Sequence, residues 1–179
     1  LHEERTSGLI DRLREGSLDA AIMGAPIPDD ALIPQPLFQE PFQVALPAGH
    51  SLAAQATIKR ADLDAVPMLL LEEGHCMRDQ ALDFCSTVGA QQQQDFRATS
   101  LETLRQMVAT GAGVTLLPTL AVDPASAARE NIAVRPFAGA PPVRELAVYR
   151  RRGCAREPVI SALAELIQNL PPVRHLSDP

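Results

Sequence analysis

An α/β fold is predicted for this chain by three observations. Apolar runs of buried-strand length recur at Leu18 to Met23, Met68 to Leu71 and Val114 to Leu117. Stretches with apolar residues at spacings of three and four alternate with them. These helical stretches are bounded by capping residues or glycines, and a helix feeding a fully apolar strand is the pattern of a parallel sheet covered on both faces.

The first helix is expected to start at Thr6 or Ser7, whose hydroxyls suit an N-cap, and to stop at Gly16, with Leu9, Ile10 and Leu13 inward. The run from Leu18 to Met23 follows as a strand. Pro26 to Pro36 reads as a proline-punctuated link, and Phe42 to Leu46 as a second strand ended by Pro47-Ala48-Gly49. Lys59 to Leu63 suits one helical turn, and Met68 to Leu71 a third strand. Met77 to Val88 reads as a helix because Ala81, Leu82, Cys85 and Val88 recur at spacings of three and four and Gly89 supplies a stop. The glutamines 91–94 read as a polar loop, and Asp95 to Ala98 as a strand. Thr99 or Ser100 then caps a helix carrying Leu101, Leu104, Met107 and Val108, and Thr99-Ser100-Leu101-Glu102 fits a capping box. Gly111 and Gly113 end that helix before the strand from Val114 to Leu117. Pro124 to Glu130 reads as a loop or short helix, and Leu146 to Tyr149 as a strand. Pro158 suits the start of the last helix, striped by Ile160, Leu163, Ile167 and Leu170 and closed by Pro171-Pro172.

Bulk properties narrow the function. The chain has 179 residues, 46% apolar and 21% charged, ordinary for a globular protein with a real core. Its formal charge of −6 makes it a poor direct ligand for phosphate backbones. Aromatic residues are 3% of the chain, with no Trp, which leaves little for base or sugar stacking. No apolar run reaches the length of a membrane span. Three cysteines without a dense framework fit the reducing cytoplasm, where disulfides are transient and redox-linked.

Two of those cysteines, Cys76 and Cys85, fall in one stretch that begins Gly74-His75-Cys76-Met77-Arg78-Asp79. A histidine and a guanidinium favour thiolate, the reactive form of cysteine. Nine helical residues advance about 13 Å, whereas a disulfide needs Cα atoms within roughly 7 Å. Bonding Cys76 to Cys85 would therefore dismantle the helix at least in part, which is how a sensor works. On residue chemistry alone Cys76 is either a reactive thiolate or a small buried cysteine at a helix start. Cys154 lies in Arg150-Arg151-Arg152-Gly153-Cys154 and reads as incidental to a solvated basic loop. His50, His75, Cys76 and Cys85 lack the paired spacing of a zinc site, so neither metal nor cofactor is expected.

The residues Leu18-Asp19, Pro36-Leu37, Glu40, Pro47, His50-Ser51-Leu52, Asp62-Leu63 and the run Gly111-Ala112-Gly113-Val114-Thr115-Leu116-Leu117-Pro118 resemble the effector-binding domain of LysR-type transcriptional regulators. The run from Gly74 to Ala81, Phe84-Cys85, and the run from Phe96 to Arg105 resemble the peroxide-sensing members of that family. The resemblance covers nearly the whole chain. It implies two Rossmann-like lobes joined by two crossovers, similar to periplasmic binding proteins: residues 1–38 with 145–179, and residues 39–144 carrying the redox cysteines. The family's amino-terminal winged helix-turn-helix, and the first strand and helix of its first lobe, have no counterpart in these 179 residues.

The resemblance further implies that hydrogen peroxide oxidises Cys76 to sulfenic acid and that Cys85 resolves it as a disulfide. Thr6, His75, Arg78, Asp79 and Arg144 would bind peroxide or activate the thiolate. The other reading of each is bland: Thr6 as a helix cap, Arg78 and Asp79 as a surface pair, Arg144 as a surface charge. The implied partners are a second copy in a homodimer or tetramer, a glutathione or glutaredoxin-type reductant, DNA through the winged helix-turn-helix, and RNA polymerase. If refolding costs roughly 4 kcal/mol, the couple rises by roughly 90 mV from the −300 mV of an unstrained structural disulfide, into glutathione's range. Against this regulator stand a LysR-type domain gated by an organic effector, a thiol peroxidase and a solute-binding protein. The lack of a Cys-x-x-Cys pair argues against the enzyme.

Overall fold

The structure, a computed structural model, describes residues 2–73, 76–89 and 91–177; for Cys76, Val88, residues 91–96, Pro124 and Ser177 it describes the backbone alone. In chain order the elements are α1 (Thr6–Glu15), β1 (Ala20–Ala25), β2 (Leu32–Pro47), β3 (Pro67–Leu71), α2 (Cys76–Val88), β4 (Gln91–Ala98), α3 (Leu101–Ala109), β5 (Thr115–Pro118), α4 (Pro124–Arg129), β6 (Ile132–Arg135), β7 (Val143–Arg151), α5 (Glu157–Gln168) and α6 (Pro171–Ser177). Short 3₁₀ turns at Ser51–Ala54, Arg60–Leu63 and Thr119–Ala121 punctuate them. The chain divides into two compact units, Leu1–Glu40 with Val143–Pro179, and Pro41–Pro142.

In the first unit β1 pairs β7, from Ala20 opposite Arg150 to Ala25 opposite Glu145. Successive strand residues face opposite ways, so Ala147 and Tyr149 pack with Leu13 of α1, whereas Leu146 and Val148 pack with Ile160 and Ala164 of α5. Both faces of β7 are therefore buried, which is why it reads as a continuous apolar run. The β1–β7 pairing is antiparallel, not parallel as the helix–strand pattern predicts. Strand β7 does not follow β1 through a helical crossover. It returns after the whole second unit, and the parallel rule covers only strands joined by such a crossover.

The second unit does contain that crossover. Strands β3 and β4 are parallel with α2 between them. On the other side of β3, the Leu69 amide donates to the Val114 carbonyl at 2.7 Å, and the Thr115 hydroxyl donates to the Leu69 carbonyl at 2.8 Å. Strand β2 pairs antiparallel with β5 and β6. One apolar core lies among these strands, α2 and α3, and includes Leu46, Met68, Leu69, Leu104 and Leu116.

Several local expectations are corrected. The glutamines 91–94 belong to strand β4, because pairing with β3 outweighs their weak strand propensity; Pro67 lies opposite Gln91 and Met68 opposite Gln92. Strand β2 starts at Leu32, inside the stretch read as a link. Arg5, not Thr6 or Ser7, is the N-cap of α1, and it makes no side-chain cap bond. Ser100 caps α3 alone, its hydroxyl accepting from the Thr103 amide at 3.1 Å, while Glu102 accepts from Gln106 at 3.0 Å, so the capping box does not form. Pro171 opens α6 rather than ending the chain's helical structure, since proline suits a first helical turn. The basic stretch is not a solvated loop throughout: Arg150 and Arg151 end β7, and Arg150 is buried and paired with Glu157.

Candidate functional site

The site is built on α2. Strand β3 is buried over Met68–Leu71 and ends where the Glu72 amide donates to the Ala98 carbonyl at 2.9 Å. That bond ties the chain to β4 just before the helix begins at Cys76. Along α2, Met77, Ala81, Phe84 and Cys85 are buried, a spacing of four, three and one that makes one helical face. Leu82, expected on that face, is only partly buried. At the end of the helix, the Thr87 hydroxyl donates to the Phe84 carbonyl and the Ser86 hydroxyl to the Asp83 carbonyl, each at 2.7 Å. Gly89 follows with φ +73, and the Ala65 amide reaches its carbonyl at 3.4 Å. A helix of 13 residues is marginal on its own, so α2 depends on its packing.

Cys85 is a free thiol, 2% exposed. Burial pushes its pKa up, and the lesser opposing effect of a backbone hydrogen bond does not cancel that. It is therefore held as a neutral thiol. Cys76 opens α2, nine residues earlier along one unbroken helix. The rise of about 1.5 Å per residue separates the two backbone positions by about 13 Å, beyond the reach of a disulfide.

Around the start of α2, Arg78 is 15% exposed; its guanidinium lies 3.7 Å from Glu73 and 4.0 Å from Asp79. Glu73 also lies 3.4 Å from Arg97 of β4. Asp79 is exposed and sits in the first turn, where the helix dipole favours an acid. His75 and Gly74 lie outside the described residues. Thr6 is the first residue of α1 and Arg144 belongs to β7, both in the first unit. Arg144 is no bare surface charge: it pairs with the carboxylate of Glu40 at 2.7 Å, and Glu40 is 1% exposed. Cys154 is half-buried, its sulfur 3.9 Å from the Asp19 carbonyl. His50 accepts from the Leu52 amide at 3.2 Å and so caps a 3₁₀ turn. Among the described residues no three His, Cys, Asp or Glu side chains form a metal-sized cluster.

Sequence reasoning passed over Gln80. Its Oε1 is buried and accepts no hydrogen bond. It lies one turn beyond Cys76 at i+4, so the two residues share a helix face. That spacing was visible in the sequence; the unsatisfied oxygen was not.

The chain matches the LysR substrate binding domain over residues 1–171. It belongs to that family. The LysR domain brings with it an α/β fold of the periplasmic-binding-protein type. Over 153 residues the chain is 44% identical to the hydrogen peroxide-inducible genes activator of Dickeya chrysanthemi, covering 86% of this chain and 50% of that protein. It is similar to the crystal structure of the oxidized form of OxyR, with TM-score 0.83 and 42% identity over 94% of this chain and 79% of that one. It is equally similar to the crystal structure of the reduced form of OxyR, with TM-score 0.83 and 40% identity over 94% of this chain and 78% of that one. The chain spans about half the length of the curated relatives it matches. Among the described residues of this LysR domain, no helix is long and apolar enough to cross a membrane.

Proposed function

We propose that this chain is the redox-sensing regulatory domain of a peroxide-responsive, DNA-binding transcription regulator, with Cys76 the reactive thiolate and Cys85 the resolving thiol. The observation that carries the reading is that one helix, α2, holds both cysteines, with Cys85 a buried neutral thiol far along it from Cys76. The peroxide-named relatives support it.

Cys76 at a helix amino terminus is favoured as a thiolate by the helix dipole, and the basic residues flanking it act in the same direction. The thiolate attacks one peroxide oxygen, the O–O bond breaks, and the other oxygen leaves as hydroxide and takes a proton to become water. Sulfenic acid remains on Cys76. The unsatisfied Gln80 oxygen is suited to accept a peroxide O–H. Cys85 then loses its proton and attacks the Cys76 sulfur, displacing the hydroxyl as a second water. Two thiols and one peroxide thus give one disulfide and two waters. Because nine residues of helix separate the two backbone positions, α2 opens in this step and the second unit repacks. In the whole regulator that change would pass through a homodimer or tetramer to the DNA-binding modules and RNA polymerase, and a glutathione or glutaredoxin-type reductant would reset it.

The test is one equivalent of hydrogen peroxide, followed by thiol counting and peptide mapping. Loss of both thiols with a Cys76–Cys85 cross-link is expected; Cys85→Ser should leave a trappable sulfenic acid, and Cys76→Ser an intact Cys85 thiol. Retention of both thiols would instead favour a domain gated by an organic effector, the reading that the family's substrate-binding description supports.

A further inference from the structure

Three side chains meet at the second half of α2. The ring of Phe84, the neighbour of Cys85, packs edge-to-face on Phe137, with centroids 5.3 Å apart and planes at 66°. The Arg60 guanidinium carbon lies 5.6 Å from the centroid of the same Phe84 ring. Both arrangements are attractive: aromatic pairs favour this separation and tilt, and a cation within about 6 Å of a ring is drawn to its quadrupole.

The two jaws of this clamp are tied to each other by hydrogen bonds to main-chain carbonyls. The Ile58 amide donates to the Pro136 carbonyl at 2.9 Å, and the Ala138 amide to the Ile58 carbonyl at 2.8 Å. Arg60 donates to the Ala140 carbonyl at 3.2 Å. Both jaws therefore sit on one bonded rung outside residues 76–85, whereas Phe84 lies within that interval. If Cys85 travels toward Cys76, its neighbour Phe84 is drawn out of the clamp. If Cys76 travels to a stationary Cys85, Phe84 stays.

We propose that Arg60 and Phe137 are positioning residues that grip Phe84 and hold α2 folded, and that the strength of this grip sets how readily the Cys76–Cys85 pair is oxidised. This rests on the disulfide reading above and adds to it which end of the helix moves. The step is a two-electron, two-proton oxidation of the two thiols, and in a glutathione buffer each protein disulfide formed converts one glutathione disulfide to two glutathione thiols.

The experiment is a redox titration of the intact protein in glutathione buffers, with thiol alkylation as readout, for the parent, Arg60→Gln, Arg60→Lys and Phe137→Leu. Arg60→Gln is expected to raise the oxidation equilibrium constant about two- to fivefold, and Phe137→Leu about two- to tenfold. Each tenfold moves the midpoint about 30 mV more negative. Arg60→Lys restores a cation over the ring and should return the midpoint toward the parent value. A role confined to general stability would lower the melting temperature of reduced and oxidised forms alike and leave the midpoint in place. Parent-like midpoints in both Arg60→Gln and Phe137→Leu would overturn the clamp. Failure of the parent itself to form the Cys76–Cys85 bond would overturn the reading beneath it. Should Phe137→Leu not fold, Arg60→Gln decides alone, since Arg60 is exposed.

Discussion

Asp83 offers a direct handle on the balance between folded and opened α2. It lies between the two cysteines and is exposed, so its side chain can be replaced without disturbing the core. Alanine and glycine at one exposed helical position differ by about 1 kcal/mol in helix stability. If the disulfide forms only when this part of α2 opens, that whole difference appears in the redox equilibrium, because the opened form does not feel it. A difference of 1.4 kcal/mol corresponds to about 30 mV for a two-electron couple, so Asp83→Ala and Asp83→Gly should differ by about 20 mV. Asp83→Ala is the harder of the two to oxidise. Equilibration in a graded series of glutathione buffers, followed by alkylation and mass measurement of the cross-linked fraction, resolves this. Coincident midpoints for the two variants would refute the coupling of helix opening to disulfide formation.

Arg144→Met leaves the buried Glu40 carboxylate without its guanidinium and should cost about 3–5 kcal/mol in urea unfolding. Glu73 is itself exposed, and Glu73→Ala, which removes its pairs with Arg78 and Arg97, should cost less than about 1 kcal/mol in the same assay. Because burial raises the Cys85 pKa, the folded reduced state keeps its proton where the unfolded chain gives it up. This contribution to stability is full below the ordinary thiol pKa of about 8.5 and is lost as pH rises past it. Cys85→Ala should therefore show a shallower decline in unfolding free energy with pH than the parent above that point. Gly89→Ala places a methyl 2.6 Å from the Asp64 carboxylate at a φ of +73, and should lower the stability of the reduced form by about 1–2 kcal/mol by calorimetry.

The helices were legible where local chemistry decides them. The spacing of Ala81 and Cys85 before Gly89 marked α2, and Pro158 marked the first turn of α5. What the sequence did not disclose depends on distant partners. The glutamines of β4 form a strand only because β3 lies beside them. The direction of β7 against β1 is set by a chain that has passed through another unit. Pro171 can stop a helix or start one, and only the turn after it shows which. At the candidate site, pattern singled out the cysteines and Arg78, and the family resemblance added Asp79. Their surroundings were not: Glu73 against Arg78, Glu40 against Arg144, and Gln80 with its buried oxygen are tertiary facts.

The most direct test follows amide hydrogen exchange across α2, residues 76–88, in the reduced protein and again once peptide mapping has established a bond between Cys76 and Cys85. Slow exchange through the helix that becomes fast on oxidation is the expected result. Amides that stay equally protected after the two sulfurs have been joined would contradict it.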